Sequence, residues 1–181
     1  MKILAVSDIH QSNIAHHGKD GSENFIKFLK VVDFEKPDLV LICGDLENVT
    51  KDDMENLYQK SIASGFDVLI ILGNHDNKDV IMNSGMFIDG LERVGKITIS
   101  GIGGIVAPSK HDEILKFSED DLIDKTNKIL HKLNKTGDSL DILMTHEMPR
   151  IYLGYENDFY DTRSSLVFTE ILYALKPKLA I

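Results

Sequence analysis

The chain has 181 residues, 43% hydrophobic and 27% charged, with 20 Lys+Arg against 29 Asp+Glu and a formal net charge of −9. That composition suits one globular domain and excludes a disordered chain, a collagen-like repeat and a disulfide scaffold. The acidic balance disfavours non-specific nucleic-acid binding and an anionic membrane surface. It also means that any phosphate-bearing substrate needs a local positive centre, which bound metal can supply. No apolar run has the length of a spanning helix, and the stretch before Ser7-Asp8 is too short for a signal peptide. Cys43 is the single cysteine, which fits a reducing cytoplasm.

Taken in chain order, Lys2 to Val6 reads as a short buried strand. Asn24 to Val32 carries Phe25, Phe28, Leu29 and Val32 at helical spacing. A second buried strand, Leu39 to Cys43, is entered through Lys36-Pro37-Asp38. Asp52 to Ala63 reads as a helix with an acidic first turn, and Val68 to Leu72 as a third strand. Ile97 to Val106 is strand-like but broken by Gly101, Gly103 and Gly104. Those glycines read as turn or close-packing positions, because Val106 stands where a dinucleotide fingerprint needs its third glycine. Ser118 to Asp121 resembles a capping box opening a helix to about Leu133. Leu140 to Met144 is a further strand, and Ser165 to Leu175 a helix closed by Lys176-Pro177. Strand–helix alternation of this kind predicts an α/β fold with a largely parallel sheet. Lys36-Pro37-Asp38-Leu39-Val40-Leu41 is echoed by Lys176-Pro177-Lys178-Leu179-Ala180-Ile181, and the second copy reads as a strand cut short.

Polar clusters follow four of these strands: Asp8-Ile9-His10, Gly44-Asp45, Gly73-Asn74-His75-Asp76 and Thr145-His146. Ligands bind beyond the carboxyl ends of strands in a parallel sheet, so these groups are expected to converge. Their oxygen and nitrogen donors, with no thiolate, suit Mn²⁺, Fe, Zn²⁺, Co²⁺ or Ni²⁺, and an Asp carboxylate can bridge two ions. The bland readings are helix caps for Asp8 and Asp45, a turn residue for Asn74, and satisfied polar or surface histidines. His16 and His17 read as solvated loop residues, His111 and His131 as surface, and Cys43 as a buried strand residue.

The ordered set Asp8-x-His10, Gly44-Asp45, Gly73-Asn74-His75-Asp76 and His146 resembles the first four motifs of the calcineurin-like metallophosphoesterases, over essentially the whole chain. The resemblance implies an α/β/β/α sandwich with two central mixed sheets, formed by residues 1–181 as one domain. It implies that Asp8 and His10 bind a first metal, that Asp45 bridges both, and that Asn74 and His146 bind a second. His75 would act on the phosphoryl oxygen or leaving group, and a metal-bridged hydroxide would attack phosphorus in line. The expected substrate is a small phosphodiester or phosphomonoester.

The family's closing Gly-His-x-His motif is absent here, and the Lys-Pro echo would put it just past Ile181. The chain therefore reads as truncated before it, with weaker metal binding and a bared sheet edge open to homo-oligomer formation. Leu46-Glu47-Asn48 after Asp45, and Asp76 in place of Glu, depart from the phosphoprotein phosphatase pattern. They resemble the small prokaryotic phosphodiesterase-like branch. Of Arg93, Arg150 and Arg163, Arg150 is the one placed to meet a phosphate. Two other readings stand beside the enzyme. One is a catalytically weak interaction scaffold on the same fold. The other, prompted by His75-Asp76, is an HD-type phosphohydrolase, an all-helical class that the strand before His75 argues against.

Overall fold

The computed structural model describes residues 1–11, 21–106, 117–149 and 164–181. Three strands, β1 (Ile3–Val6), β2 (Leu39–Ile42) and β3 (Asp67–Ile70), form one parallel sheet in that order. Helix α1 (Asn24–Glu35) joins the first two and α2 (Lys51–Ser64) the next two. After α3 (Lys78–Met82) the chain returns along β3, where Phe87 bridges Ile70. The second sheet has the order β4 (Leu91–Val94), β5 (Ile97–Ile102), β6 (Ile142–Thr145), β9 (Leu179–Ala180). Its first pair is antiparallel and the others parallel, so this sheet is mixed. Helix α4 (Glu119–Thr136) leads into β6. The short strands β7 (Met148–Pro149) and β8 (Ser164–Ser165) pair beside helix α5 (Leu166–Leu175).

Alternation along each strand builds three apolar layers. Val40 and Ile42 of β2 face Phe25, Phe28, Met54 and Leu57 of α1 and α2. Leu39, Leu41 and Cys43 face the other way, onto Ile71, Ile99, Ile142 and Met144, and fill the space between the sheets. Leu143 of β6 packs with Leu122, Ile129, Phe168 and Ile171 of α4 and α5. The result is helices, sheet, sheet, helices: the expected α/β/β/α sandwich. A methyl group at Gly101 would overlap Ile71 and sit against Ile88, so that glycine permits close approach of the sheets.

The helices begin and end on local signals. Thr50 and Asp53 form a capping box at α2, as Ser118 and Asp121 do at α4. Helix α1 outlasts its apolar pattern, running past Val32 to the left-handed Lys36 before Pro37. The echoed Lys176 has the same left-handed backbone, with φ 46° against 45° at Lys36. Two expectations need correction. The first strand is not buried: β1 lies at a sheet edge among the described residues, and Ile3 is 37% exposed. The first sheet is wholly parallel among the described residues rather than mixed. Strand β4 has no counterpart in the sequence-based expectations because its Glu92-Arg93 centre faces solvent.

Candidate metal centre

The carboxyl ends of β1, β2, β3 and β6 meet at one side of the sandwich. Three belong to the first sheet and β6 to the second, so the site spans both sheets rather than the rim of one. The loops after β1 and β2 are tied together by main-chain bonds. Asp8 N–H donates to Gly44 O at 3.1 Å, His10 N–H to Asp45 O at 2.9 Å and Gln11 N–H to Leu46 O at 3.2 Å. The Asn24 amide, at the start of α1, donates to Ile9 O at 2.9 Å and holds the first loop from behind.

Close approach of backbones requires glycine here. Gly44 has φ 90°, and a methyl group on it would strike the Gly73 backbone and reach within 2.9 Å of His146 Nδ1. One on Gly73 would overlap the Asp45 carboxylate. Asp8, His10, Asp45 and Glu47 also have positive φ, between 42° and 59°. L-residues adopt that region at a cost of roughly 1 kcal/mol each, so the surroundings must hold them there.

Asp76 does much of that holding. Its half-buried carboxylate accepts four main-chain N–H groups: Asp45 at 3.0 Å, Leu46 at 2.7 Å, Glu47 at 3.0 Å and Gly73 at 2.7 Å. In the sequence Asp76 reads as the end of the Gly73-Asn74-His75-Asp76 motif and as a marker of subtype, with no role of its own. Its signal is an aspartate three residues after a glycine that ends a buried strand, but three of the groups it holds lie some 30 residues upstream.

Asp45 is 3% exposed and stands at the centre. Its Oδ2 lies 3.6 Å from His10 Nε2, and the same nitrogen is 3.5 Å from Asp8 Oδ1. Its Oδ1 accepts the His75 main-chain N–H at 2.9 Å and lies 3.5 Å from His146 Nε2. His146 Nε2 is also 2.9 Å from Asn74 Oδ1. Asp8, Asp45 and His146 each offer a ligand atom within 4.8 Å of the others. The structure thus gathers Asp8, His10, Asp45, Asn74 and His146 around the Asp45 carboxylate. His75 stands beside them, exposed, its ring centroid 5.7 Å from that of His10. Arg150, His16, His17 and His111 lie outside the described residues, and His131 is exposed as expected.

The donor chemistry fits cations. His146 Nδ1 is 2.8 Å from Cys43 O, and a carbonyl only accepts, so Nδ1 carries the proton. Nε2 then stands beside two oxygens, Asn74 Oδ1 and Asp45 Oδ1, and a neutral ring can offer its lone pair there to a positive centre. Ser7 Oγ donates to Asp8 Oδ2 from outside the cluster. Two neighbours have displaced acidities. Burial, and then the nearby Asp8 carboxylate, push the Cys43 thiol up to about 12. Burial also raises the Glu147 carboxyl, against the Val106 N–H that it accepts.

The calcineurin-like phosphoesterase family model matches residues 1–181, and the chain belongs to that family. The uncharacterized metallophosphoesterase Cj0846 of Campylobacter jejuni is 34% identical over 79 residues, 42% of this chain and 20% of the relative's length. The crystal structure of TT1561 of Thermus thermophilus superposes with a TM-score of 0.67 at 18% identity. It covers 98% of this chain and 79% of that one, a likeness of fold. Among the described residues no helix is long and apolar enough to cross a membrane.

Proposed function

We propose that this chain is a hydrolase of small phosphoesters that uses two divalent cations. Asp8, His10 and Asp45 hold one, Asp45, Asn74 and His146 the other, with Mn²⁺, Fe, Zn²⁺, Co²⁺ or Ni²⁺ suited to such nitrogen and oxygen donors. The observation that carries this reading is the division of the Asp45 carboxylate, one oxygen toward His10 and Asp8, the other toward His146. Two such ions, when bound, offset phosphoryl charge and acidify coordinated water. The protein's own part is orientation and proton transfer. Cys43 O fixes the ring of His146, and Asp76 fixes the loop that aims Asp45. His75, with its main chain anchored on Asp45 and its ring exposed, is the group that protonates the departing oxygen. The lone buried thiol of Cys43 supports a reducing, cytoplasmic setting.

Metal uptake and turnover test this together. Titration with Mn²⁺ is expected to reach about two equivalents per chain. Hydrolysis of bis(p-nitrophenyl) phosphate or p-nitrophenyl phosphate should require the metal and vanish with chelator. Asp45→Asn should weaken both equivalents. Uptake that Asp45→Asn leaves unchanged would overturn the proposal.

A further inference from the structure

We infer that Glu47 is a positioning residue that sets the tautomer and aim of His10, an assignment that rests on the metal-site reading above. His10 Nδ1 lies 3.1 Å from Glu47 Oε2. An ionised carboxylate only accepts, so Nδ1–H donates to it, and in the neutral ring the lone pair therefore belongs to Nε2, on the side of Asp8 and Asp45. A neutral histidine in water keeps its proton mainly on Nε2, the wrong nitrogen for this task, so the carboxylate works against the ring's own preference.

Glu47 is built to do this. Its side chain is only 18% exposed, whereas a surface glutamate would wander. Its backbone is held in the left-handed region at φ 59°, with its N–H on Asp76 Oδ1 and a bridge to Gln11 alongside His10. Positive φ at a non-glycine residue, maintained by the Asp76 carboxylate that also holds its neighbours, turns the glutamate back over the first loop. The other ring is oriented differently: His146 leans on an uncharged carbonyl. The two donor sets are therefore unequal, because only the His10 set has a full negative charge against the far side of its imidazole. Carboxylates so placed raise ligand basicity, and their loss costs about 10–100-fold in metal affinity.

The test compares wild type with Glu47→Leu and Glu47→Gln, the latter keeping shape and an acceptor oxygen while removing the charge. In the metal-free protein with ¹⁵N-labelled histidine, long-range ¹H–¹⁵N spectra at mildly alkaline pH report each ring's tautomer. His10 is expected to carry its proton on Nδ1 in wild type and Glu47→Gln, and to lose that preference in Glu47→Leu. His146 should be unchanged in all. Calorimetric titration with Mn²⁺ should show one equivalent weakened about 10–100-fold in Glu47→Leu and less in Glu47→Gln, with the other retained. An unaltered His10 tautomer in Glu47→Leu, or an isotherm matching wild type, overturns the assignment. A wild-type chain that takes up no Mn²⁺ defeats the metal-site reading instead, while the tautomer comparison still decides whether Glu47 governs His10.

Discussion

Removing the Asp76 carboxylate should cost both stability and cation affinity. Asp76→Ala leaves four main-chain N–H groups without their acceptor. Asp45 is 3% and Leu46 0% exposed, so solvent is a poor replacement there. A hydrogen bond to a charged group contributes about 1.5–3 kcal/mol net, but four on one half-buried carboxylate do not add, and about 3–4 kcal/mol is the reasonable total. Asp76→Asn keeps an oxygen for the Leu46 and Glu47 N–H groups. It turns an amide NH₂ toward those of Asp45 and Gly73, for a loss of about 2 kcal/mol. In a chain of this size each kcal/mol moves Tm by about 2–4 °C, so Asp76→Ala should melt about 6–16 °C below wild type. Urea unfolding followed by circular dichroism gives the free energy directly. Once the clamp is gone, Asp45 and Glu47 can relax out of positive φ, and Mn²⁺ affinity should fall with stability. A midpoint and a Mn²⁺ isotherm both indistinguishable from wild type in Asp76→Ala would refute this account of the loop.

Gly73→Ala should lower Tm and abolish Mn²⁺ uptake together, because the added methyl overlaps the Asp45 carboxylate. Uptake surviving in a well-folded Gly73→Ala protein would show that the loops tolerate more separation than the geometry allows. Cys43, buried and with its thiol pushed up to about 12, should ignore Ellman's reagent in the native protein at pH 8 and react fully in denaturant. Acid should weaken the fold through Asp121, Asp138 and Asp141. Hydrogen bonds from Ser118, Thr136 and Lys178 respectively are the leading causes holding their carboxyls below the ordinary value of 3.8. Groups lowered in the folded state stabilise it above the unfolded value and lose that contribution as pH drops through the folded one, so the decline should begin near pH 4. Ser118→Ala should cost about 1 kcal/mol at neutral pH and flatten part of that acid limb. An acid limb of unchanged steepness in the variant would contradict the assignment to the α4 cap.

What the sequence makes legible is whatever a buried strand delivers locally. Asp8, Asp45, Asn74 and His146 each follow an apolar run, and polar groups placed there have few reasons beyond a shared site. Alternation within Leu39 to Cys43 likewise announces a strand buried on both faces, and the structure fills both. The division into two sheets is not readable from alternation, since a parallel run looks the same in either; the family resemblance supplies it. Strand β4 is illegible because a strand at a sheet edge among the described residues, with charged residues at its centre, lacks an apolar signature. Glu47 and Asp76 are silent for another reason. Each acts on a partner distant in sequence, His10 for one and the Asp45–Glu47 main chain for the other. No local pattern encodes such pairings.

His146 arrives from one layer of the sandwich while its fellow donors arrive from the other, and that origin has a mechanical consequence. An ion gripped by Asp45, Asn74 and His146 would rivet the two halves across their common seam, beside the side-chain packing and the hydrogen bonds from His146 Nδ1 to Cys43 O and from Gly104 N–H to Leu72 O that already join them. Starvation for metal would then loosen the molecule along that seam before it melted either half, making its rigidity a gauge of the ions around it.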